Sequence, residues 1–139
     1  MKDRKEKYSE AEERTQCSGQ TGNAEEKSKK IIDMDKVVFE TVIGLDTDAI
    51  IKDGIYYVDT IIKTIVDEFR NKGMIWVKSE CESELTFVTE DNNKFALMGA
   101  AMIRCYRSPI KPYFKKIMFY NYEAKTKSDY LQGLIRENF

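Results

Sequence analysis

Histidine is absent from this chain of 139 residues, which contains only two prolines and three cysteines. The absence of histidine removes the side chain that enzymes use most often as a general base and that metals most often bind. The cysteines, Cys17, Cys81 and Cys105, are scattered without a C-x-x-C pair, which argues against a zinc site and a disulfide framework. They are therefore predicted to be free thiols, and no catalytic residue, metal ion or cofactor is expected.

Long apolar runs are also missing. No window approaches the roughly 18 to 20 apolar residues that a membrane-spanning helix needs, and the N-terminus has no apolar signal region. There is no phosphate-binding glycine loop either. The chain is therefore expected to be a cytoplasmic protein that binds neither a membrane nor a small-molecule substrate.

The distribution of charge is uneven, although the formal net charge is only −1. Residues 94–139 hold nine Lys and Arg against three Asp and Glu, whereas residues 34–93 hold six against thirteen. A surface that concentrates cations neutralises phosphates and releases their counterions, so nucleic acid is the first partner to consider. A solvated basic face without a partner is the alternative from charge alone.

The first part of the chain is predicted to be a disordered, charged arm over residues 1–33. Nearly half of these residues are charged, with both signs mixed, and few are apolar. Such a segment buries too little apolar surface to offset the entropy of ordering. The hydrophobic content of 42% over the whole chain suffices for one core, so residues 34–139 are predicted to form a single domain.

Two periodicities mark the start of this domain. Apolar, β-branched and aromatic residues over Val37–Ile43 predict a strand that ends at Gly44. A loop is predicted over Leu45–Asp53. Apolar residues then recur every three or four positions over Ile55–Phe69, which predicts an amphipathic helix.

A hairpin and a second helix are predicted to follow. Alternating residues indicate strands over Met74–Ser79 and Leu85–Glu90, joined by the polar segment Glu80–Ser83. Lys94–Tyr106 fits either another strand or a helix. We favour the helix because Ala, Leu and Met dominate it, and Pro109 then prevents its continuation.

Alternation returns over Tyr113–Tyr122 and predicts a long aromatic strand. The predicted fold is therefore α+β, with a small antiparallel or mixed sheet, two helices packed on it, and the order β-α-β-β-α-β, optionally followed by one more strand. Tyr113 and Tyr120 are candidates for stacking on an unpaired base, although packing within the protein is the commoner role for strand aromatics.

Several short motifs in this order resemble a known family. They are Ile-Lys-Asp-Gly-Ile at 51–55 before the first helix, Leu-Thr-Phe-Val-Thr-Glu at 85–90 ending the hairpin, and Tyr-Phe-Lys-Lys-Ile-Met-Phe-Tyr-Asn at 113–121. With Arg104 and Arg107 near the end of the second helix, they resemble the eukaryotic large-subunit ribosomal protein twenty-two family, which is unrelated to its bacterial namesake. The similarity covers about residues 36–131 and marks the chain as a divergent member.

The resemblance implies a structural constituent of the large (60S) ribosomal subunit that binds ribosomal RNA, contacts neighbouring ribosomal proteins and catalyses nothing. In this family the second helix and the segment after it are basic. Gly99, Ala100 and Ile103 occupy positions here that are usually basic. Counting the matching positions and nearby cations, the candidate RNA-binding residues are Arg104, Arg107, Lys111, Lys115, Lys116, Lys94 and Lys78.

The end of the chain supports two interpretations. The resemblance implies a returning strand around Lys125–Leu131, whereas Ser128 as a cap before Leu134 and Ile135 is typical of a short helix. We expect a strand followed by a frayed or helical end.

A non-catalytic protein-interaction module or inhibitor is the alternative function. Its contact surface would be the acidic hairpin around Glu80, Glu82 and Glu84, although charges at a hairpin end also prevent edge pairing. Asp46, Asp48 and Asp53 are predicted to be solvated rather than to bind calcium.

Overall fold

An antiparallel sheet of five strands lies at the centre of the residues described by the structure, a computed structural model that covers residues 33–77, 79, 81 and 83–137. The strands follow the order β2-β3-β1-β4-β5, and each neighbouring pair is antiparallel. Their bounds are β1 Phe39–Leu45, β2 Ile75–Val77, β3 Glu84–Thr89, β4 Phe114–Asn121 and β5 Thr126–Asp129. The short strands β2 and β5 therefore form the two edges.

Four α-helices accompany the sheet within the described residues: α1 Thr47–Asp53, α2 Val58–Asn71, α3 Phe95–Tyr106 and α4 Tyr130–Arg136. The predicted α+β class is confirmed, and α2 and α3 are the two predicted helices. The sheet is antiparallel rather than mixed. The helical interpretation of residues 94–106 is also confirmed.

One face of the sheet carries the main core. Alternate residues of β1, among them Phe39 and Ile43, are buried together with residues of α2, α3 and α4. The rings of Phe69 in α2 and Phe87 in β3 stack with centroids 4.2 Å apart and an interplanar angle of 10°. This stack joins the helix layer to the sheet at the centre of the core.

The opposite side of the sheet, here called the open face, carries the other residues of each strand. Strand register places Glu40 and Val42 of β1 beside Met118 and Tyr120 of β4 on this face. Near β2 and β3, a small second cluster buries the side chains of Val37, Val77 and Val88. The buried apolar residues of α2, α3 and α4 belong to the core on the other face.

Helix α1 was not predicted, because residues 45–53 were interpreted as a loop. The carboxylate of Asp46 accepts a hydrogen bond from the Ala49 backbone N–H at 3.0 Å and caps the first turn. Gly54 ends the helix in the left-handed region with φ of 66°. Ile50 is only 1% exposed, so packing stabilises a helix that is too short to form alone.

The Asp46 cap gives a first testable prediction. Substitution of Asp46 by Ala should lower the free energy of unfolding by about 1 kcal/mol, because the first turn loses its side-chain acceptor. Asp48→Ala removes the same charge from an exposed position in that turn and should cost less. Urea denaturation of both variants measures the difference, and equal losses would contradict a capping role for Asp46.

The end of the chain contains both elements that the sequence suggested. Strand β5 pairs with β4, and α4 begins immediately after it. The helix cap is Asp129 rather than the predicted Ser128, since the Asp129 carboxylate accepts a hydrogen bond from the Gln132 N–H at 3.1 Å. The expected strand followed by a helical end is confirmed.

The remaining predictions concern the arm, the cysteines and membrane spans. The predicted arm lies outside the described residues except for Asp33, and Cys17 lies outside them as well. Cys105 is a free, buried thiol, as predicted, whereas Cys81 is disulfide-bonded, so the prediction is wrong there because an odd number of cysteines still allows one bridge. None of the helices in the described ranges is long and apolar enough to cross a bilayer.

Candidate nucleic-acid interface

The C-terminal end of α3 presents two arginines. Arg104 lies in the last turn and Arg107 is the C-cap residue, three positions later and therefore on the same side of the helix. Cations at this end also interact favourably with the helix dipole. Both side chains are exposed.

Arg104 also contacts α2. Its Nε lies 3.3 Å from one carboxylate oxygen of Glu68, and the other oxygen of that carboxylate lies 2.9 Å from the Nζ of Lys72. The Arg104 side chain is 73% exposed, and such exposed pairs contribute at most about 1 kcal/mol. The guanidinium can therefore bind a phosphate without a large loss of stability.

A tight turn after α3 positions the next cation. Lys111 begins a 3-10 turn that includes Pro112, and its Nζ lies 4.8 Å from the centroid of the Tyr106 ring. The Tyr113 hydroxyl donates a hydrogen bond of 2.8 Å to Asp53, which ties the turn to the end of α1. This bond to a carboxylate, with burial as a second cause, raises the pKa of Tyr113. Because Tyr113 is buried, it packs within the protein and does not present a stacking surface.

Lys115 occupies an irregularity at the start of β4. Gly44 pairs with Lys116 and Leu45 with Phe114, so Lys115 is an extra residue without a partner in β1. Its side chain is exposed. We call the cations at this end of the molecule the helix-end cluster; its members are Arg104, Arg107, Lys111 and Lys115.

The other candidate residues do not join this cluster. Lys116 lies on the open face, where its Nζ is 2.6 Å from the Glu84 carboxylate. Lys94 precedes the first turn of α3, about 15 Å along the helix axis from Arg104, and lies 3.9 Å from Asp91. Lys78 lies outside the described residues. The seven candidates therefore do not form one continuous patch.

The sequence around the helix-end cluster contains no acidic residue. Asn92–Tyr122 carries six Lys and Arg and no Asp or Glu. Carboxylates reach these cations only from other parts of the chain, as Glu68 does. A positive potential is therefore expected over this end of α3, the turn and the start of β4.

The acidic residues considered in the sequence have structural contacts. Asp46 caps α1, Asp53 accepts the hydrogen bond from Tyr113, and Glu84 is paired with Lys116. Glu80 and Glu82 lie outside the described residues, so the acidic-hairpin surface stays a prediction. Among the residues that the structure describes, no group of His, Cys, Asp or Glu is arranged to hold a metal ion.

A groove of about 550 Å³ lies between α3 and the β4–β5 hairpin. Small residues of α3, such as Gly99, form one wall, and the rings of Phe119 and Tyr130 form part of the other. Burial raises the pKa of Tyr130.

Elsewhere on α3, burial and the nearby Glu68 carboxylate raise the pKa of Cys105 to about 12, so this thiol stays protonated and is a poor nucleophile at neutral pH.

Two residues on the open face were not singled out from the sequence. Tyr122 lies beside Tyr120, and Lys127 of β5 pairs with Tyr120 across the strands. Alternation along residues 113–122 already placed Tyr120 and Tyr122 on one side. No comparable pattern indicates the pairing with Lys127, because β5 is short and wholly exposed.

Comparisons with known proteins add nothing to these observations. No protein-family model, no curated protein and no solved structure matches the chain. The function is therefore argued from the residues of the site and from the resemblance noted in the sequence.

Proposed function

We propose that this chain is a structural, non-catalytic constituent of the large ribosomal subunit and that it binds ribosomal RNA through the helix-end cluster. The observation that carries the proposal is that four cations lie on consecutive elements, from the C-terminal end of α3 through the turn to the start of β4, within a stretch that lacks carboxylates. Neighbouring ribosomal proteins are expected partners, and the ribosome in the cytoplasm is the expected location.

The chemistry of the cluster suits folded RNA. Arg104 and Arg107 each offer a planar guanidinium that matches two phosphate oxygens, whereas Lys111 and Lys115 offer mobile point charges. Contacts of this kind position a protein on the RNA backbone and recognise its shape more than its sequence. The Nζ of Lys111 lies against the ring of Tyr106, and Lys115 lies at the irregularity in the β1–β4 pairing. Both cations are therefore attached to ordered parts of the fold.

The order of the elements also supports the proposal. Strand β1, helix α2, the β2–β3 hairpin, helix α3 and strands β4 and β5 follow the order that the resemblance to the ribosomal family implies. Two of the motifs that carry the resemblance lie on β3 and β4, whereas the Ile-Lys-Asp-Gly-Ile motif spans the end of α1 and the residues after it.

Sedimentation of ribosomal particles tests the proposal directly. We expect the tagged full chain, expressed in its host cell, to migrate with the large subunit in a sucrose gradient. After magnesium is removed to separate the subunits, the chain should follow the large subunit and not the small one.

A wash at increasing salt tests whether the association is electrostatic. RNA contacts through four cations weaken steeply as salt rises, so the wash should release the chain from the particle. If the chain stays at the top of the gradient at low salt, or follows the small subunit, the proposed function is wrong.

A further inference from the structure

Two tyrosine rings lie parallel on the open face of the sheet. Tyr120 lies on β4, and Tyr122 is the first residue after that strand; their stacked rings and the contact of Tyr122 with Glu40 place both on this side. Their ring centroids are 6.1 Å apart and the planes differ by 13°. The Tyr122 hydroxyl donates a hydrogen bond to the buried carboxylate of Glu40, which holds that ring in place. The pair is therefore an ordered, half-buried aromatic surface.

Cations lie next to this surface. Register pairs Tyr120 with Lys127 of β5, and Lys125 precedes β5 in the left-handed region with φ of 58°. Both lysines are exposed. On the same face, Lys116 lies four residues before Tyr120 on β4, but it is paired with Glu84 and does not count as a free flanking cation. An aromatic pair with flanking cations matches a polyanion that also carries flat apolar groups.

The apolar neighbours of the pair also lie outside the main core. Val42 and Met118 are half-buried on the open face, and neither is packed into the two hydrophobic clusters of the described residues. They extend the aromatic surface along β1 and β4. This half of the sheet thus offers apolar and aromatic side chains beside Lys127, while the Asp129 carboxylate opposite Met118 is engaged in capping α4.

We propose that Tyr120, Tyr122 and Lys127, here called the tyrosine platform, bind an unpaired segment of RNA. A base would stack on the tyrosine rings, and Lys127 would contact a neighbouring phosphate. The choice of RNA rests on the proposed function, but the platform is distinct from the helix-end cluster. The cluster would hold structured RNA by its backbone, and the platform would hold a loop or single strand by its bases.

Fluorescence anisotropy with two RNA probes separates these roles. One probe is a labelled single strand of ten uridines, and the other is a labelled, fully paired RNA duplex. Tyr120→Ala in the full chain should weaken binding of the single strand about 10- to 100-fold and leave duplex binding unchanged. Tyr120→Phe keeps the ring and should restore single-strand binding to within about twofold.

Tyr57→Ala is the matched control, because Tyr57 is 83% exposed at the start of α2, away from the platform. It should leave both affinities unchanged. Equal weakening by Tyr57→Ala and Tyr120→Ala would overturn the platform, as would a loss of duplex binding equal to the loss of single-strand binding.

Crosslinking uses the unaltered chain, so its result does not depend on whether the variants fold. A strand containing 4-thiouridine should crosslink on irradiation to Tyr120 or Tyr122, which mass spectrometry of the peptides identifies. Crosslinks confined to other residues would overturn the platform.

The outcomes distinguish the two proposals. If the chain binds the duplex but not the single strand, the platform is wrong and the proposed function stands. If single-strand binding depends on Tyr120 while the chain does not associate with large subunits, the platform stands and the proposed function is wrong.

Discussion

Substitution of Phe69 by Ala is expected to lower the free energy of unfolding by about 3 to 5 kcal/mol. The Phe69 ring is fully buried and stacks on the equally buried Phe87, so its removal leaves a cavity between α2 and β3. A domain of this size is stable by about 5 to 15 kcal/mol, so the loss is a large fraction of the total. The midpoint of thermal unfolding should fall by roughly 10 to 30 °C.

Phe95→Ala is the control for this result. It makes the same chemical change at a ring that is 55% exposed at the start of α3. Its cost should be about 1 kcal/mol. Denaturant and thermal unfolding followed by circular dichroism measure both variants, and equal losses would mean that the Phe69–Phe87 stack is not central to the core.

Neutralising the helix-end cluster is expected to weaken RNA binding about 100-fold. The variant carries Arg107→Gln, Lys111→Gln and Lys115→Gln, which removes two exposed cations and one half-buried cation and keeps Arg104 beside Glu68. At about 1 kcal/mol for each contact, the total loss is about 3 kcal/mol. The slope of log affinity against log salt should become shallower by about 2 to 3, because fewer counterions are released.

A second triple variant controls for net charge alone. The variant Lys36→Gln, Lys52→Gln, Lys63→Gln lacks three exposed lysines, which lie on the 3-10 turn Met34–Lys36, on α1 and on α2. This variant should keep nearly the full affinity and salt slope for a structured RNA. If both triple variants lose the same affinity, binding depends on total charge and the helix-end cluster is not the interface.

Most of the fold was predictable because apolar residues recur with a clear periodicity along the long helices and strands. The amphipathic pattern of α2 and the alternation of β4 each extend over several turns or residue pairs, so local patterning and tertiary packing agree. Helix α1 was missed because seven residues are too few for a helical period to stand out. The residues that indicate α1 are the N-cap Asp46 and Gly54. They are convincing evidence for a helix only when Ile50 is known to be buried.

The sequence predicted which candidate residues lie close together along the chain, but not which of them share a face of the sheet. Arg104 and Arg107 follow from helical spacing, and Lys111 is fixed to the same end by the short turn. Alternation showed that Lys116 shares a side with Met118 and Tyr120. It did not show which side the helices cover, because β4 has apolar residues on both faces. The separation of Lys116 from the helix-end cluster therefore required the three-dimensional structure.

The two edges of the sheet have a consequence for crowded conditions such as particle assembly. Strand β2 has three residues and β5 has four, and every side chain of β5 is exposed, Lys127 among them. A second copy approaching β5 would find few backbone groups to pair with and would bring like charges together. The short edge strands thus disfavour sheet-to-sheet polymerisation and help to keep newly made molecules separate until a different partner binds them.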